Sequence, residues 1–175
     1  AAHHAGVVHR DLKPTNIMVT GDYSLEELKI TDFGIAKIVS DELQEAAEGG
    51  AGSLVASQTA VGALPYMAPE AIETPKSVDQ RADIWSVGAI IYHLLCGSHP
   101  FGNGLAAIPK ILAAAPPAIP DFVFSNPQFA PLAKEILDIA KQCIQKDANA
   151  RPSADDLVQL CSRLCYTASP RTIGV

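Results

Sequence analysis

Apolar positions dominate the run from Ile84 to Gly97, interrupted by few polar side chains such as Ser86 and His93. The run is shorter than the roughly 18 residues that a membrane-spanning helix needs. An element that is apolar nearly all round is instead a helix for the centre of a domain. The pattern predicts that it begins near Asp79 and stops at Gly97, with Pro100 beyond the stop. Further on, Leu132, Ile136, Leu137, Ile139, Ala140 and Ile144 recur at helical spacing up to Lys146-Asp147. Leu157, Leu160, Cys161 and Leu164 predict the inner face of a last helix. Ser153 is placed to cap it, with Asp155 and Asp156 at the positive end of its dipole. Gly102 to Ala115 reads as a short helix ended by Pro116-Pro117, followed by a Pro-rich loop to Pro131.

The N-terminal half has a different rhythm. Ile17-Met18-Val19 and Leu28-Lys29-Ile30-Thr31 are short β-type runs separated by Gly21-Asp22 and Ser24, which predicts a hairpin. Before it, Ala1 to Gly6 resembles the last turn of a helix cut in mid-element, so a longer natural chain is expected. Adjacent residues cannot share a helix face, so His3 and His4 read as ordinary helix residues and not as paired ligands. From Asp41 to Thr59 periodicity is lost among Glu, Ala, Gly and Ser, which predicts a mobile loop. Its hydroxyls Ser53, Ser57 and Thr59 are candidate phosphorylation sites. The fold class is therefore mainly α with a small β-hairpin. One domain covers residues 1–165, and residues 166–175 form a loose tail.

Composition narrows the function classes. The chain has 175 residues, enough for one domain with a real core, and no internal repeat. Only 18% of residues are charged against 48% hydrophobic, which suits a large buried fraction or a face covered by something else. A net charge of −6 gives no electrostatic support for binding nucleic acid or an anionic membrane. Cys96, Cys143, Cys161 and Cys165 form no C-x-x-C pair and fall in apolar, helix-like stretches. They read as buried free thiols in a reducing compartment. A cytoplasmic setting is the default expectation, with no signal segment at the start.

Candidate chemistry is concentrated in His9-Arg10-Asp11-Leu12-Lys13-Pro14-Thr15-Asn16. A carboxylate, an ammonium and a carboxamide fall within six positions, and Pro14 makes the segment a shaped loop. That set suits phosphoryl transfer: one group orients a hydroxyl, one neutralises phosphate and one holds a metal. Asp32-Phe33-Gly34 follows the second predicted strand, where a carboxylate at a strand end can lean into a cleft and take a cation. Ala68-Pro69-Glu70, Asp83-Ile84-Trp85-Ser86-Val87-Gly88 and Arg151 come next in order.

Taken in sequence, these motifs resemble the large C-terminal lobe of a eukaryotic-type protein kinase, over nearly all of residues 1–165. The resemblance implies a truncated α+β kinase fold and a protein serine/threonine kinase that uses ATP and Mg²⁺ on protein substrates. It assigns Asp11 to accepting the substrate hydroxyl proton and Lys13 to the transferred phosphate. Asn16 and Asp32 become the Mg²⁺ ligands. His9 and Phe33 match a hydrophobic stack, Asp83 a brace for the catalytic loop, and Glu70 with Arg151 a structural ion pair. Arg10 and Thr59 match a regulatory pair, in which a phosphate on the loop docks near a cationic pocket.

Two departures stand out. Ala63 replaces the hydroxyl residue usual in G-T-x-x-Y-x-A-P-E, and with it a hydrogen bond to the catalytic Asp and Lys. The Gly-rich loop, strand lysine and helix glutamate of the other lobe are not in this sequence, so the polypeptide as given is expected neither to bind ATP well nor to catalyse. A catalytically impaired scaffold is the alternative reading, and a small-molecule phosphotransferase a weaker one. The A-P-E segment, the buried helix and Arg151 argue against the latter, because they build a platform for a peptide.

Overall fold

The computed structural model describes residues 1–21, 27–33, 58–113, 115 and 118–168. It places a 3₁₀ turn at His3–Ala5 and another at Pro14–Asn16, leading directly into strand β1 (Ile17–Thr20). Strand β2 (Glu27–Ile30) pairs with β1 antiparallel, Ile17 opposite Ile30 and Thr20 opposite Glu27. The remaining elements are helical. They are α1 (Gln58–Ala63), α2 (Pro69–Glu73), α3 (Arg81–Cys96), α4 (Ile108–Ala113), α5 (Ala130–Cys143) and α6 (Ala154–Ala168), joined by single 3₁₀ turns.

Helix α3 is the axis of the core, as its apolar pattern requires. Trp85 and Ala89 are fully buried, and Trp85 stacks on Phe101 with centroids 5.6 Å apart. Leu94 is the exception in that run, standing out in solvent. Gly97 ends the helix at φ +67°, its N–H bonding the His93 carbonyl at 2.9 Å. Gly88 lets α5 approach closely. A Cβ added there would lie 2.5 Å from the Cys143 Cβ and 2.8 Å from the Ala140 carbonyl oxygen. Helix α5 thus packs on α3, and α6 covers α5 through Leu157, Leu160 and Leu164 around Ile84, Ile139 and Cys143.

Helix α6 begins with a reciprocal cap. The Asp156 N–H donates to Ser153 Oγ at 3.1 Å, while the Ser153 N–H and hydroxyl donate to Asp156 Oδ2 at 2.9 and 2.7 Å. Those bonds hold the Asp156 carboxyl below its usual pKa. Lys146 plugs the end of α4, donating to the Lys110 and Ile111 carbonyls while lying over the Phe101 and Trp85 rings. Burial first, and then the Arg151 charge, pull its pKa down.

Several expectations change. Thr59 lies in helix α1 and not in a loop running to residue 59. Residues 102–115 do not form one helix; a 3₁₀ turn at Leu105–Ala107 precedes α4, and the Pro-rich connection holds another at Asp121–Phe124. Pro residues fit the first turn of a helix, so Pro131 lies inside α5 and does not delay it. Cys96 and Cys143 are buried, but Cys161 and Cys165 are exposed. Cys161 stands one position outside the Leu157–Leu160–Leu164 stripe, so helical spacing alone misassigned it. Helix α6 continues to Ala168, past Tyr166 where a loose tail was expected to begin. The expected turn over residues 22–26, Gly34, the expected mobile loop over residues 41–57 with Ser53 and Ser57, Pro116, Pro117 and residues 169–175 lie outside the described residues. Among the described residues, no helix is long and apolar enough to cross a membrane.

Candidate active site

The site is built around a turn that the backbone resists. Arg10 has φ +68°, a conformation that costs a residue with a Cβ roughly 1–3 kcal/mol. The carboxylate of Asp83, in the first turn of α3, holds it there. Asp83 Oδ1 accepts from the Arg10 N–H at 2.8 Å, and Oδ2 accepts from the His9 N–H at 2.9 Å. His3 Nε2 also bonds Oδ2 at 2.9 Å. One buried and one half-buried backbone donor and one imidazole therefore converge on one buried carboxylate.

His9 connects this turn to the hairpin. Its Nδ1 accepts from the Asp11 N–H at 3.2 Å, which fixes the Nε2–H tautomer, and Nε2 donates to the Thr31 carbonyl at 2.7 Å. The Phe33 ring lies against it, centroids 4.7 Å apart, yet stays 47% exposed. Thr31 is also tied to Asn16, its N–H donating to the Asn16 carbonyl at 2.9 Å. The hairpin register thus brings Asn16 beside the residue that precedes Asp32.

Asp11, Lys13 and Asn16 form one hydrogen-bonded unit. Lys13 Nζ lies 2.7 Å from Asp11 Oδ2. Asn16 Nδ2 donates to the Asp11 carbonyl at 2.8 Å and to Oδ2 at 3.2 Å. Asp11 and Asn16 are buried, so these donors hold the carboxylate in one orientation. Among the described residues, Asp11 Oδ1 takes no hydrogen bond. With its NH₂ used on Asp11, Asn16 has its Oδ1 as an acceptor, engaged only by a long 3.5 Å bond from the Thr15 hydroxyl among the described residues. Asp32 turns at φ +62° beyond β2, exposed and without a bonded partner among the described residues. An amide oxygen and a carboxylate oxygen are the hard donors that Mg²⁺ takes, so this donor set fits the cation.

The remaining assigned residues brace the platform behind this unit. Arg151 has a fully buried side chain and grips the 24% exposed Glu70 with two N–H···O bonds, of 2.6 and 2.9 Å. It also donates to the carbonyls of Gln145 at 2.8 Å and Arg81 at 2.9 Å, and its guanidinium lies 5.1 Å from the Trp85 ring centroid. Ala63 is buried beside Leu64 and Met67. Arg10 lies apart from the Asp11 unit, donating one N–H to the Val78 carbonyl at 3.3 Å. Of Thr59 the structure gives the backbone placement in α1.

Two contacts are not visible in the sequence, those of His3 and of Ser86. His3 and His4 lie in the 3₁₀ turn His3–Ala5, where His3 bonds the buried Asp83 and His4 makes an exposed contact with Asp155 at 2.8 Å. No spacing rule links His3 to a carboxylate 80 residues later. Ser86 Oγ donates to the Tyr66 carbonyl at 2.8 Å, pinning the segment before Pro69 to α3. Its place in a run of apolar residues was the available signal.

A family model described as protein kinase domain matches residues 1–160. The chain belongs to that family. It is 35% identical over 153 residues to CDPK-related kinase 5 of Arabidopsis thaliana, covering 87% of this chain and 22% of that one. A probable myosin light chain kinase of Dictyostelium discoideum is 33% identical over 174 residues, covering 98% and 44%. Testis-specific serine/threonine-protein kinase 3 of Mus musculus is 32% identical over 155 residues, covering 89% and 50%. This kinase-family chain thus spans half or less of the length of these relatives. Among solved structures, the twitchin kinase region from C. elegans superposes with a TM-score of 0.62 at 26% identity, covering 90% of this chain and 25% of that one.

Proposed function

We propose that this chain carries the catalytic half of a protein serine/threonine kinase that moves the γ-phosphoryl group of ATP to protein hydroxyls. The observation that carries the reading is the convergence of Lys13 and Asn16 on the buried Asp11 carboxylate. With Oδ2 held by both donors, Oδ1 is the oxygen left to accept a substrate hydroxyl proton. An Asp carboxylate is a weak base at neutral pH, and a loose transition state needs the hydroxyl placed in line more than deprotonated early. The Lys13 ammonium, a compact point charge, is placed to follow negative charge as it develops on the transferred group. Asn16 Oδ1 and the Asp32 carboxylate would hold Mg²⁺, which neutralises phosphate charge when bound. Phosphate on Thr59 acting through Arg10 belongs to the same reading, since among the described residues Arg10 has one guanidinium N–H engaged and others to offer.

The test is Mg·ATP-dependent transfer to a generic protein substrate by the longest natural form of the chain. Asp11→Asn is expected to lower kcat by roughly 10²–10⁴-fold with nucleotide affinity little changed. Ala63 favours a second reading, a nucleotide-binding scaffold, because no hydroxyl stands at that buried position to support Asp11 and Lys13. Tight nucleotide binding with no transfer to any protein selects the scaffold.

A further inference from the structure

Tyr66, His93 and His99 form a cluster to which none of the roles above assigns a task. The Tyr66 hydroxyl and His93 Nδ1 lie 2.8 Å apart. The His93 and His99 rings have centroids 4.0 Å apart, and the Tyr66 ring meets His99 edge-on at 5.1 Å. His99 Nδ1 is buried with no partner among the described residues. Tyr66 closes the 3₁₀ turn Leu64–Tyr66, three residues before Pro69 and α2. The cluster therefore fastens the segment carrying Glu70 to the C-terminal half of α3.

We propose that this cluster is a proton-sensitive latch, closed when the His99 imidazole is neutral and released when it takes up a proton. The Tyr66 hydroxyl can donate to His93 Nδ1 or accept from it, so that bond holds whichever of the two carries the proton, and the sensitive member is His99. A proton on His99 would leave a charged N–H buried without an acceptor. Charge on one ring also opposes charge on the other at this separation. Burial first and the His93 neighbour second hold the His99 pKa below its ordinary value.

Among the described residues, Tyr66 and the other imidazole are the groups that bond or stack with each ring. Burial raises the pKa of Tyr66, and on α3 it pushes Tyr92 up to about 12 and raises Cys96, so all three stay neutral. The neighbouring turn Leu105–Ala107 contributes Leu and Ala alone. Among the described residues of this cluster, His99 is thus the group whose protonation the fold opposes. The folded state binds fewer protons at His99 than the unfolded state does. Its stabilisation is complete above about pH 6.5 and is lost as pH falls through the lower folded-state value.

The experiment is hydrogen exchange on the longest natural chain at pH 7.5 and 5.5, read as protection factors so that intrinsic exchange cancels. Protection at residues 64–70 is expected to fall roughly threefold or more on acidification, while the centre of α3 holds. The double variant His93→Gln/His99→Phe retains an acceptor and a ring, and is expected to lose the acid response. A histidine NMR titration of the unmodified protein needs no variant and should place His99 below the ordinary range. Unchanged protection at 64–70, the same acid response in the double variant, or His99 titrating at or above the ordinary value of about 6.5 would overturn the latch. None of these readouts requires kinase activity, so they stand or fall apart from the proposed function.

Discussion

The carboxylate of Asp83 accepts from His9, Arg10 and His3 and so holds a backbone turn that would otherwise relax out of its left-handed conformation. Asp83→Ala leaves two backbone N–H groups without their acceptor, at about 1–3 kcal/mol each. Urea unfolding of this variant should show a loss of about 2–6 kcal/mol. Activity should fall further than stability explains, since Asp11 directly follows the released turn. Ala63 poses the opposite case, a support that is missing. A hydroxyl restored by Ala63→Thr should contribute on the order of 1 kcal/mol of positioning, or several-fold in kcat. Steady-state rates with KM unchanged would show that the gain lies in the transition state; an unchanged kcat would mean that Ala63 is not a catalytic handicap.

Among elements, the join between α2, α3 and the loop before α6 rests on Arg151. Its guanidinium is fully buried and satisfied by Glu70 and two closely bonded carbonyls, so the pair is part of the interior and not a surface ornament. Removing one partner of a buried pair is costly, because the other is left charged and unpaired. Glu70→Gln should therefore cost about 3–5 kcal/mol in thermal or urea unfolding. A surface pair would lose at most about 1 kcal/mol, so a loss that small would show that water reaches the guanidinium. Helical periodicity made α3, α5 and α6 legible because each has a long stripe or run of apolar residues. It could not separate Cys161 from its leucine neighbours, since positions one residue apart at a stripe's edge differ in burial only through what packs against them.

Across the molecule, order is unevenly supported. Helices α3 and α5 meet closely at Gly88 in the core, whereas Met18, Val19, Leu28 and Ile30 of the hairpin stand exposed. A two-stranded hairpin is marginal by itself. In the 175-residue chain, amides of β1 and β2 are expected to exchange on the order of 10²-fold faster than those of Trp85–Ile90. Comparable protection in both, measured by hydrogen exchange, would mean that other parts of the chain cover the hairpin. This unevenness matters for function, because Asn16 and Asp32 are both positioned by that hairpin.

The chemistry of the His9–Asn16 loop and the order of the motifs that follow it were fixed locally, in residue types close together along the chain. His9, Asp11, Lys13 and Asn16 lie within eight positions, and a helix, a hairpin or a stop signal depends on neighbours a few residues away. What those residues bond to was decided only in three dimensions. His3 with Asp83, Glu70 with Arg151 and Tyr66 with His93 are separated by 80, 81 and 27 residues, and no periodicity spans such gaps. Arg10's left-handed turn is likewise a tertiary outcome. An arginine carries no local preference for positive φ, and the strain persists because a buried carboxylate on another element offsets it.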